Sequence, residues 1–346
     1  MPMTRRKLIL GTSLLALLAL LVAGAFVGVV LATSGGGDKL TVYTARSHYG
    51  EEKPFKRFAS NEGADLTLFG GDASSLYERL KNEGAGTRAD VLITVDAANL
   101  WRAEQAGLLA ADRDPAVERH VPADLRDPQG RWYGLTVRAR TIMRSTKRVK
   151  PADAATYESL GDPRWKGRLC LRSGTSEYNV SFVADRIAKD GAAATKAMLK
   201  RWMANDPDIL GSDTDVLKAI ANGACDVGFT NSYYLGRELE EDPGFPVAPV
   251  WADQKGRGTH LNLSGIGIVK GADQKEQARK LVRFLTEPSR QRAFARSNHE
   301  FGVDSQADTT PEIKQFGSFK RDPIDVAGAG EHLDDAVKMM SSVGWR

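Results

Sequence analysis

The chain has 346 residues, 42% of them apolar and 27% charged, with a formal net charge of +4. That length exceeds what one core usually holds and implies two lobes, while the composition excludes a disordered or repetitive protein. Arg5, Arg6 and Lys7 supply most of the net charge; beyond them acids and bases interleave, which excludes a nucleic-acid-binding stripe.

Residues 1–32 read as a leader outside the fold. The basic patch is followed by an uncharged apolar run from Leu8 to Ala32, and the segment contains no acid. Two readings stay open. A signal peptide would be cut after Val30-Leu31-Ala32, whereas an uncleaved anchor is long enough to cross roughly 30 Å of hydrocarbon. Either leaves the body outside the cytoplasm, because the flanking Arg and Lys stay inside. Thr4-Arg5-Arg6-Lys7-Leu8 also resembles a twin-arginine signal, set against an ordinary basic leader. No cysteine follows the run, which excludes lipid anchoring there.

From residue 38 the pattern alternates between strand and helix. LTVYT precedes a predicted helix at 54–61, ADLTLFG one at 73–83, and ADVLITV one at 97–106. A longer β-rich segment, GRWYGLTVRARTIMRS, interrupts the alternation. It resumes with RLCLR, helices at 178–189 and 192–203, then CDVGFT and YYLGRELEE. A second β-rich segment, THLNLSGIGIVKG, precedes a helix at 275–286. The pattern predicts an α/β fold of parallel sheets flanked by helices, in two lobes. Residues 38–135 with 262–310 form one lobe and 140–258 the other, with 311–346 as a helical tail packing back. A ligand cleft would lie between the lobes.

Three of these strands end on side chains suited to one chemistry. His48 and Tyr49 follow LTVYT, Tyr178 follows RLCLR, and Tyr233-Tyr234 follow CDVGFT, each opening a helix. Carboxyl ends of strands are where open α/β sheets bind ligands. Phenolate is a hard anionic donor matched to a hard trivalent ion, and imidazole also suits iron. A free phenol ionises near pH 10, so such a metal must displace protons as it binds. Four phenolates on a trivalent ion leave a net charge of −1, and Arg172 at the end of its strand is the candidate counter-cation. Taken singly, each tyrosine is as well explained by packing, and Arg172 by solvent exposure. The coincidence at three strand ends is what points to a metal clamp. Tyr43 reads as core, and of the remaining histidines His299 is the one with a site-like context. Cys170 and Cys225 lie in strands serving the same edge, and outside the reducing cytosol they are expected to pair, against a reading as two buried thiols.

The motifs SHYGEEK, ADVLITVDAANLWRAEQAGLL, GRLCLRSGTSEYN, CDVGFTNSYYLGREL and NLSGIGIVKGADQKEQARKLVRFLTEP resemble those of periplasmic ferric-ion-binding proteins. These are the substrate-binding components of iron ABC importers, and the likeness is to the cyanobacterial type that uses one histidine and four tyrosines. The resemblance implies a two-lobed type II periplasmic-binding-protein fold and no enzymatic activity. It puts His48 and Tyr49 on one lobe and Tyr178, Tyr233 and Tyr234 on the other, around Fe3+ as transported ligand, with bicarbonate or water as an additional ligand. The partners implied are a membrane permease and its ATPase, with the binding protein monomeric. The family pattern has arginine directly before the histidine; here Ser47 intervenes and Arg46 stands one place earlier, as a candidate support for the ligands. Two other ligand classes suit the fold. A polyamine would need more acids than the strand-end turns offer. An oxyanion could use Ser173, Gly174, Thr175 and Ser176 at a helix start. An enzyme reading finds no GxSxG, P-loop or HExxH motif.

Overall fold

The computed structural model describes residues 39–46, 53–303 and 309–346; the leader and the His48-Tyr49 pair lie outside the described residues. Strands β1 (Lys39–Thr44), β2 (Asp65–Gly70) and β3 (Val91–Thr94) run parallel, with β1 between the other two. Each leads into a helix: Lys53–Glu62, Ala73–Glu83 and Ala97–Gln105. Asp72 and Asp96 begin the second and third of these by accepting the backbone N–H groups of Ser75 and Asn99. Such caps are worth about 1 kcal/mol each and explain why the helices start where the sequence places them.

Strand β4 (Tyr133–Ser145) spans 13 residues and is buried almost throughout. Beyond it come β5 (Leu169–Arg172), β6 (Asp208–Leu210), β7 (Val227–Asn231), β8 (Val247–Val250), β9 (Leu261–Ile268) and β10 (Phe301–Gly302). The strand order is β2-β1-β3-β9-β4-β7-β5-β6, with β8 and β10 also on β4. The two β-rich segments therefore pair with each other, β4 against β9, as a central ribbon. Here the expectation of parallel sheets needs correcting: pairs are parallel at both ends and antiparallel through the middle, at β3–β9, β9–β4 and β4–β7. The reason is that β9 and β4 run against their neighbours, and β4 spans both ends. Its first half pairs with β9 and its second half with β7 and β8.

Apolar packing divides in the same way. One core combines β1–β3 and β9 with the Lys275–Thr286 helix. Another surrounds Phe182, Trp202 and Phe229, where the Phe182 and Phe229 ring centroids are 4.7 Å apart. A third packs Cys170, Cys225 and the Asp213–Asn222 helix against Leu235 and Leu239. Helices Val326–Glu331 and Leu333–Ser342 close the fold. Just after them the Trp345 ring lies 5.8 Å from Trp202, and its indole N–H donates to the Arg172 carbonyl at 2.9 Å. Gly174 admits this approach, because a Cβ there would collide with the Trp345 carbonyl.

Cys170 and Cys225 are joined as a disulfide, with Cα atoms 5.8 Å apart across 55 residues of sequence. Among the described residues they group with Asp208 at metal-binding distance, but the sulfurs are spent on each other. Cys170→Ala/Cys225→Ala is expected to lower stability by about 2–4 kcal/mol, because the bond constrains the unfolded chain. A urea-unfolding midpoint unchanged by the substitutions would contradict this. No helix of the described residues is long and apolar enough to cross a membrane.

Candidate metal centre

Three predicted tyrosines meet. Tyr178 is the second residue of the Glu177–Asp190 helix, which follows β5; Tyr233 and Tyr234 are the second and third of Ser232–Glu241, which follows β7. Strands β5 and β7 are hydrogen-bonded neighbours, so both turns emerge side by side at one edge. The Tyr233 and Tyr178 hydroxyls are 3.4 Å apart. The Tyr233 and Tyr234 rings stack at 4.2 Å. All three sit in the first turn of a helix, where the dipole and unpaired N–H groups favour an anionic oxygen.

Burial raises all three phenols well above their ordinary ionisation range, and each is raised further by a neighbouring tyrosine. The hydroxyls are therefore protonated until something positive displaces the proton. They enclose, with Ala45, Val95 and polar groups, a cavity of about 20 Å3. That is room for one water-sized sphere.

Arginines surround the phenols. The Arg172 guanidinium lies 5.4 Å from the Tyr178 ring and 3.6 Å from Asp213, with its side chain 23% exposed. Burial opposes its charge, but Asp213 and the three tyrosines outweigh burial and hold Arg172 above the ordinary arginine range. Arg46 is buried, donating to Glu300 at 2.9 Å and Thr136 at 3.1 Å. Both Arg46 and Glu300 line the cavity. Arg138 pairs with the same Glu300 at 3.3 Å and lies 5.9 Å from the Tyr178 ring. Burial alone would raise the Glu300 carboxyl, yet Arg46 and Arg138 keep it below the usual range. Arg237 lies 5.0 Å and 5.4 Å from the Tyr233 and Tyr234 rings and donates to Asn298. Glu177, next to Tyr178, accepts the Ala73 N–H at 3.1 Å, and burial pushes its carboxyl up to about 8, with Asp96 adding to the rise.

Arg140 ties the two tyrosine turns together. It is fully buried and bonds Asn179 at 3.0 Å, Asn231 at 3.1 Å and Asp213 at 3.2 Å. Asn179 follows Tyr178, and Asn231 immediately precedes the helix of Tyr233 and Tyr234.

Not every expected group is among the described residues of the centre. His48 and Tyr49 lie outside the described residues. Of the other histidines, His299 turns to Thr310 at 2.8 Å and Glu240 at 3.1 Å rather than to the phenols. Tyr43 is core, with its hydroxyl on Glu83. Sequence reasoning missed Arg138, Arg140, Arg237 and Glu300. For two of them a signal exists: Arg138 and Arg140 alternate along a strand buried almost throughout and so share one face, where buried charges need a reason.

A sheet of two parallel ends joined through antiparallel central strands, with a ligand-sized hollow at its strand ends, is the two-lobed type II binding-protein fold. The chain belongs to the bacterial extracellular solute-binding proteins, whose family pattern matches residues 53–321. It is 39% identical to iron uptake protein A1 of Synechocystis sp. over 91% of this chain and 89% of that one. A Trichodesmium protein solved in complex with iron and citrate ligands superposes with a TM-score of 0.81 at 37% identity, covering 89% of this chain and 100% of that one. The ferric binding protein of Campylobacter jejuni superposes with a TM-score of 0.83 at 32% identity, again over 89% of this chain and 100% of that one. These relatives carry names of binding and uptake, not of catalysis.

Proposed function

We propose that this chain is an extracytoplasmic ferric-ion-binding protein that delivers iron to an ABC importer. The observation carrying this reading is the convergence of Tyr178, Tyr233 and Tyr234 on a hollow of about 20 Å3 under a group of arginines. A small hard cation is the ligand that uses several phenolates in so little space. The names of the relatives support the same ion. His48 and Tyr49 would complete the ligand set, with Arg46 and Arg172 as supporting cations and bicarbonate or water in any remaining position. Residues 38–135 with 262–310 would form one lobe and 140–258 the other. Iron would be held first by the three-tyrosine side, and the lobes would then close by a hinge, the state a permease recognises. The protein would act as a monomer. Residues 1–32 would direct export as a cleaved signal or retained anchor, by the general or the twin-arginine route.

The test is a visible absorption titration of the purified protein with ferric citrate. The expected result is a saturable phenolate-to-iron charge-transfer band at one equivalent. Because each phenol must shed its proton, acidification from pH 7 to 5 is expected to weaken binding by more than about tenfold. Affinity unchanged over that range would contradict phenolate ligation. One observation favours a second reading. Arg46, Arg138 and Arg237 lining one hollow, with Arg172 near the Tyr178 ring, also suit an oxyanion; absence of the band, with thermal stabilisation by phosphate, would move the function there.

A further inference from the structure

A second cavity, of about 340 Å3, is built by β10, the Pro311–Lys314 helix and the stretch 317–321. It shares no lining residue with the tyrosine centre. Phe301, Ile313 and Phe319 form apolar walls. Phe319 is held in place by its stack on Trp251, with centroids 4.2 Å apart, and by Phe301 at 5.6 Å. The aromatic side of the cavity is thus preformed.

Arg321 lies in this wall with its guanidinium 5.3 Å from the Phe301 ring and 5.8 Å from the Phe319 ring. Its Nε and Nη2 are buried without a hydrogen-bond partner, and so is Thr309 Oγ1 in the same lining. Arginines buried more deeply than Arg321 have carboxylate partners: Arg46 and Arg138 face Glu300, and Arg140 faces Asp213. The lining holds no carboxylate among the described residues, whereas Lys314 adds a second cation. Burial, with no compensating carboxylate among the described residues of the lining, pulls Arg321 down to about 10, below the ordinary arginine range. A half-desolvated cation with no counter-charge is costly to maintain, and an anion in the adjoining space would relieve it.

We propose that this cavity binds a small organic carboxylate with a short apolar body, its charge set against Arg321 and Lys314 and its body against Phe301, Ile313 and Phe319. The planar guanidinium suits a carboxylate, and apolar walls with few polar groups are the usual build of a small-molecule site. The volume equals that of about eleven waters at ~30 Å3 each, enough for an acid of benzoate size. Inorganic phosphate would satisfy the charge and leave the aromatic walls unused.

The test is calorimetric titration of the full chain, free of iron, with sodium benzoate. Saturable binding near one equivalent is expected, at least tenfold weaker in Arg321→Met, which keeps the stem and removes the charge. Ile313→Trp, which fills the cavity and leaves Arg321 in place, should reduce it equally. Arg321→Met should unfold at or above the parent's temperature, since it removes a partly buried charge with no carboxylate partner among the described residues of the lining. Tyr233→Phe/Tyr234→Phe should bind benzoate as the parent does, which separates this site from the proposed iron centre. Absence of saturable heat, parental affinity in both cavity variants, or loss in the tyrosine variant would each overturn the proposal. Displacement of benzoate by an equal concentration of phosphate would overturn the choice of an organic ligand.

Discussion

Replacing both Tyr233 and Tyr234 by phenylalanine is expected to lower ferric affinity by more than about 100-fold, beyond the 10–100-fold typical of groups that only support a metal's ligands. The substitution is conservative for packing. Both residues are almost fully buried, their rings stack at 4.2 Å, and phenylalanine keeps the rings while removing the hydroxyls. The substitution gives up a long hydrogen bond between Tyr233 and Tyr178, at 3.4 Å, and the contact between the two replaced hydroxyls. Folding stability should therefore move by no more than about 1 kcal/mol, the usual net worth of one hydrogen bond. Two measurements decide the matter together: the charge-transfer titration and the thermal midpoint of iron-free protein. Parental iron affinity in a folded variant would remove these tyrosines from the ligand set.

Arg140→Met is expected to cost about 3–5 kcal/mol, because it strands Asp213 in the interior. Both partners are inaccessible to solvent, and the remaining cation near Asp213 is Arg172 at 3.6 Å. Removing Arg140 also leaves the Asn179 and Asn231 side-chain oxygens without the donor that joins the two tyrosine turns. Iron affinity should fall as well, but less than in the tyrosine double variant, since the phenols themselves survive. Adding Asp213→Asn to Arg140→Met should restore part of the lost stability by removing the stranded charge. A urea-unfolding series of the parent, the two single variants and the double variant gives the coupling directly. A double variant no more stable than Arg140→Met would show that the loss came from packing and the asparagine bonds instead.

What can be read from the amino acids alone divides by range of interaction. Local signals hold: Ala73–Glu83 and Lys275–Thr286 occupy the predicted spans, because caps and apolar spacing are set by neighbours in sequence. The placement of Tyr178 and Tyr233 at adjacent strand ends is legible for the same reason, since strand-then-helix punctuation marks the turn. The Asp213–Asn222 helix and the short strand β6 escape such reading; three residues of β6 carry too little pattern to register. Antiparallel pairing of β4 with β9 is visible as two β-rich segments, but its direction is not, because register is decided between residues such as Val137 and Leu263. The charged lining is hardest. Glu300 matters because Arg46, 254 residues away, bonds to it, and no local pattern encodes that meeting. His299 looks site-like from its sequence neighbours, although its partners Thr310 and Glu240 lead it away from the phenols.

The Trp345 indole bond to the Arg172 carbonyl spans 173 residues of sequence. Ribosomes add about 5–20 residues per second, so the β5 turn is made roughly 10–35 s before its indole prop exists. Throughout that interval the segment that presents Tyr178 lacks one of its supports. A chain ending after Ser342, which keeps every described strand and both tyrosine turns but lacks Trp345, should therefore hold iron less well than the finished protein. Competence to hold cargo would arrive late in synthesis, as a property of the whole polypeptide.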